Sequence, residues 1–122
     1  MGLDTYAAYA ASHPKYEDVG GTYSLLPDSL FPPNALCGGM LSGGGNSFRG
    51  KVYNDYIEWA TGETLYSEEL SPDTVIRMAN ALEGALNRFL TYKGLTTKPE
   101  ATDIAVWFRK VADEKASVIG WW

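Results

Sequence analysis

Between residues 42 and 51 the chain reads SGGGNSFRGK, glycines followed by an amide, a hydroxyl and two cationic side chains. Glycine-rich backbone can turn its N–H groups toward an anion or its carbonyls toward a hard cation. For an anion, Ser47, Arg49 and Lys51 are the donors, placed just ahead of a helix start that would favour a nucleotide or other phosphate ligand. The G-x-x-x-x-G-K-[ST] spacing is not met, because Val52 follows Lys51, and no dinucleotide fingerprint is present. For a cation, Asn46 offers an amide oxygen, and Asp55, Glu58, Glu68 and Glu69 offer carboxylates close by in sequence. No EF-hand loop is present, so a calcium site would be assembled from separate segments. The plain alternatives stand beside these. The glycines serve a tight turn, Arg49 ties the loop to a carboxylate, and Glu68-Glu69 is a solvated turn.

Other chemistry-bearing residues are sparse. His13 is the one histidine and Cys37 the one cysteine, so an intrachain disulfide and a cysteine metal cluster are excluded and a zinc site is not expected. No nucleophile elbow or nucleophile–base motif is visible, and the expectation is a protein that is not an enzyme. Asp55 and Glu58 lie three apart on one helical face, but their polar neighbours Lys51 and Asn54 point to an exposed pair. Trp121 and Trp122 are adjacent, and left exposed they would form a patch for a protein partner.

These residues sit in a chain of 122 residues with 15 acidic and 10 basic side chains, a net charge of -5. One domain, 1–122, is expected at this length. The acidic balance argues against nucleic acid as a partner and is compatible with a cation or a basic protein. No apolar run is long enough to span a membrane and no signal peptide is seen, so the expected location is the cytoplasm.

The elements that must position the candidates are mainly helical. Helices are expected over about 50–61, 72–93 and 99–116. Tyr53, Tyr56, Ile57 and Ala60 mark the face of the first, with Val52, and Gly62 stops it. Ser71 and Pro72 open the second, whose apolar stripe runs from Val75 to Leu90 before Lys93-Gly94. The third starts near Thr97 and carries Ile104, Trp107, Phe108 and Val111. Ahead of them Pro14, Pro27, Pro32, Pro33 and the glycines imply an irregular N-terminal segment, with at most a small β element. Thr5–Ala10 and Thr22–Leu26 fit strands or single helical turns, and 118–122 fits a short strand or an aromatic plug.

Three blocks, MGLDTYA, CGGMLSGGGNSFRGKVY and TGETLYSEELSPDTV, resemble a small bacterial family, and the chain is similar to the cyanobacterial calcium-binding proteins, acidic domains without EF-hands. The resemblance implies calcium as the bound ion and a signalling or buffering role. It assigns no ligand, so Asn46, Asp55, Glu58, Glu68 and Glu69 rest on their chemistry alone. Three readings result: a small acidic calcium-binding protein, a nucleotide or phosphate binder through the glycine-rich loop, and an immunity- or inhibitor-type interaction protein.

Overall fold

The computed structural model describes residues 3–17, 24–27, 30–31 and 46–122. Among them five strands form one antiparallel sheet, against which three helices pack. The expectation of a mainly helical chain with an irregular N-terminal segment is therefore overturned in favour of a mixed α/β fold. The central strand is β1 (Asp4–Tyr9), and its partner along one edge is β5 (Ser117–Trp121). Their register runs from Asp4↔Trp121 to Ala8↔Ser117. Along the other edge of β1 lie β2 (Ser24–Leu25) and β3 (Ser47–Arg49), opposite its end and its start respectively. The two-residue β4 (Glu69–Leu70) borders β5. Strand residues are too few for a periodic signal, and the β1–β5 pairing joins opposite ends of the sequence, so local pattern does not reveal it.

Side chains alternate across the sheet. Leu3 just ahead of β1, Ala7 and Tyr9 from β1, Phe48 from β3 and Val118 from β5 enter the core. Asp4, Tyr6 and Trp121 belong to the opposite face, where Arg49, Asp4 and Trp121 form one cross-strand row.

Helix α1 (Gly50–Thr61) starts and stops where the sequence places it, and Gly62 closes it at φ 78°, a left-handed conformation suited to glycine. Val52 points away from the core and is exposed. Helix α2 (Pro72–Ala85) is opened by Ser71, whose Oγ accepts from the Thr74 N–H at 3.3 Å. It does not run on to residue 93. A 3-10 turn takes over at Leu86–Thr91, with Arg88 out of helical geometry. The Arg88 side chain donates to the Ala60 carbonyl (3.2 Å) and lies 4.3 Å over the Trp59 ring. Leu90, expected on the apolar stripe, is consequently 94% exposed.

Helix α3 (Lys98–Asp113) has a complete capping box from Thr97 and Glu100. It ends at 113 rather than 116 because Lys115 adopts φ 55°. The Lys115 N–H then reaches the Ala112 carbonyl and the Ala116 N–H reaches that of Val111, a Schellman closure made without glycine. Trp107 of α3 is fully buried, edge-on to Phe48 at 4.9 Å, and joins helix layer to sheet. No helix among the described residues is long and apolar enough to cross a membrane.

Candidate functional site

The end of β5 carries the most exposed aromatic surface among the described residues. Successive strand residues project to opposite sides, so Trp121 and Trp122 separate. Trp121 goes to Tyr6 of β1, with ring centres 6.4 Å apart, and Trp122 goes to Tyr66 at 5.7 Å. The indoles remain 66% and 50% exposed and Tyr66 42%. With Gly120 and Glu68 the two tryptophans line an open concavity of about 530 Å3.

Tyr66 and Glu68 come from the segment between α1 and β4, which three features hold in place. Asn54 on α1 accepts the Leu65 N–H on its side-chain oxygen at 2.7 Å. Leu65 itself is buried in the core. Gly120 lets the segment press against β5: its N–H donates to the Ser67 carbonyl at 3.0 Å. A Cβ at 120 would stand 2.5 Å from both the Leu65 and Ser67 carbonyl oxygens. These contacts pin the Tyr66–Glu68 segment to α1, to the core and to β5. Burial raises the Tyr6 pKa, and the neighbouring Asp4 charge raises it further, so the phenol beside Trp121 stays neutral. Glu68 has no hydrogen-bond or ion-pair partner among the described residues, and its carboxylate is free to meet a cation.

A second polar centre lies at the far end of α3. Tyr9 Oη and Lys15 Nζ both donate to Glu114 Oε1, at 2.9 and 3.0 Å. The Lys15 N–H donates to His13 Nδ1 (3.0 Å), which leaves Nε2–H to donate to the Glu114 carbonyl at 2.7 Å. The Lys15 contact, aided by the Tyr9 hydroxyl, holds the Glu114 carboxyl below its usual range. Burial and the Glu114 bond push Tyr9 up to about 12. A cavity of about 410 Å3, lined by Leu26, Pro27, Leu30, Lys110, Asp113 and Glu114, adjoins this centre. Its hydrogen-bonding groups answer one another, and the result is a latch that fastens the 10–17 turn to the end of α3.

The residues picked out for chemistry are dispersed. Asp55 accepts from Tyr92 Oη (3.0 Å), Glu58 from Asn54 Nδ2 (3.2 Å) and Glu69 from Ser117 Oγ (2.7 Å). Asn46 Nδ2 donates to the Leu26 carbonyl and its own backbone carbonyl takes the Ala7 N–H, on the other side of β1 and β5 from Glu68. Among the described residues no group of three or more His, Cys, Asp or Glu side chains is placed to hold a metal ion. Of the phosphate candidates, Ser47 is buried in β3, Arg49 is half-buried at its end and Lys51 is exposed on the first turn of α1. Cys37 and residues 42–45 of the glycine run lie outside the described residues. The sequence singles out Trp121 and Trp122. It gives no sign of Tyr66, Gly120 or the Tyr9–Glu114 latch, whose partners are distant in the chain.

Neither the family models, the curated proteins nor the solved structures with which the chain was compared include a match.

Proposed function

We propose that this protein is a binding module of the immunity or inhibitor type, which docks a protein partner through the Trp121–Trp122 concavity. One observation carries the reading. Two adjacent indoles stand half or more exposed, one against Tyr6 of β1 and the other against Tyr66, on the segment that Asn54 and Gly120 pin to the fold. Tryptophan and tyrosine are the residues that most often dominate interface energetics, and a rigid presentation lowers the ordering cost on binding. Leaving such rings in water has no stabilising role in the isolated chain, since both indoles lie outside the core.

The test is affinity capture with the wild-type protein and with the Trp121→Ala/Trp122→Ala double variant as baits, followed by reconstitution with the purified partner. A protein retained by the first and lost by the second, and bound again when purified, is the expected result. Identical retention by both baits would overturn the reading.

A further inference from the structure

We infer that the anchor of this partner is an arginine side chain, seated against an indole of the concavity with its guanidinium on Glu68. The inference rests on the docking reading above and adds the chemistry of the occupant. The concavity joins two indoles to Glu68, whose carboxylate no residue of the described chain engages. A guanidinium is planar, stacks on indole and presents a fork of donors to a carboxylate, whereas an ammonium does only the electrostatic part. The same molecule uses both halves of this recognition internally. Arg88 lies 4.3 Å from the Trp59 ring centre. Arg109 forks onto Glu83 through Nε and Nη2, each at 2.8 Å. A net charge of -5 draws a basic segment toward the protein. An acidic or purely apolar partner would leave the Glu68 carboxylate desolvated and unpaired.

The probe is a hexa-arginine peptide, followed by tryptophan fluorescence and by calorimetry. Hexa-citrulline is the control that keeps planarity and loses charge, and hexalysine keeps charge and loses planarity. Hexa-arginine should bind the wild-type protein. Hexa-citrulline should bind at least about tenfold more weakly, as loss of a charged hydrogen-bond pair implies. Hexalysine should fall between the two. Glu68→Gln should weaken hexa-arginine by about fivefold, while Asp73→Asn, an equal charge change at an exposed position on the first turn of α2, should leave it within about twofold. The Trp121→Ala/Trp122→Ala variant should lose binding while keeping its melting temperature. Equal affinity for hexa-arginine and hexa-citrulline, or equal loss in Glu68→Gln and Asp73→Asn, would overturn the inference. If hexa-arginine fails while capture still depends on the tryptophans, the arginine assignment falls and the docking reading stands. If both fail, the docking reading falls as well.

Discussion

Glu114 and Glu68 both stand beside aromatic side chains, but the protein spends one and leaves the other available. Glu114 takes two donors on a single oxygen, and its carbonyl takes a third from His13, so the end of α3 and the 10–17 turn are locked together. Glu68 lies among Trp121, Trp122 and Gly120 with its carboxylate unanswered within the described chain. Polar groups that saturate one another stabilise a fold and hold nothing over for a ligand. Rings and a carboxylate that are held in place but not saturated do the reverse. The contrast separates a structural polar centre from a recognition surface more clearly than exposure alone, since Leu90 is more exposed than either tryptophan.

The two regions should respond differently to substitution. Gly120→Val should have the largest effect on stability, about 3 kcal/mol, because the added carbons meet two backbone carbonyls that cannot move independently. It should also weaken binding by displacing Tyr66 and Glu68. Denaturant unfolding together with a binding titration checks both losses. Glu114→Ala should cost about 1–2 kcal/mol, because Tyr9 and Lys15 lose a shared acceptor at a half-exposed site. Partner binding should be unchanged.

A pH titration of stability sharpens the same contrast. Tyr9 has a folded pKa above its ordinary value of 10, so its contribution is complete below pH 10 and is lost as pH rises toward about 12. Glu114 has a folded pKa below 4.5, so its contribution is present above that value and is lost as pH falls through the lowered one. Tyr9→Phe should flatten the alkaline arm, as read by denaturant midpoints. The smallest effect is expected at Lys115, where glycine should relieve the left-handed strain and raise stability by about 0.5–1 kcal/mol without altering binding.

The helical half of the fold was legible because its signals are local. Ser71, Gly62 and Thr97 mark their boundaries through chemistry confined to a few residues. The sheet was not, because β1 and β5 acquire their meaning only from each other. The end of α3 was misplaced for a related reason, since a lysine occupies the position where sequence patterns look for glycine. Likewise the 3-10 turn after α2 carries Arg88, whose contacts are to Ala60 and Trp59 in another helix. At the site, the adjacent tryptophans were visible in the sequence. Their surroundings were not, because Glu68 was grouped with acidic neighbours as a metal ligand. The fold places Glu69 on Ser117, Asp55 on Tyr92 and Glu68 alone with the indoles.

The decisive measurement is the affinity of the purified partner for three forms of the protein: wild type, Trp121→Ala/Trp122→Ala and Glu114→Ala, each with its unfolding free energy. Removing the tryptophans should cost at least about 2 kcal/mol of binding, the threshold of a hot spot, and leave stability nearly unmoved. Glu114→Ala should lower stability and leave affinity intact. Undiminished affinity in the double tryptophan variant, with that variant fully folded, would contradict a recognition role for the concavity.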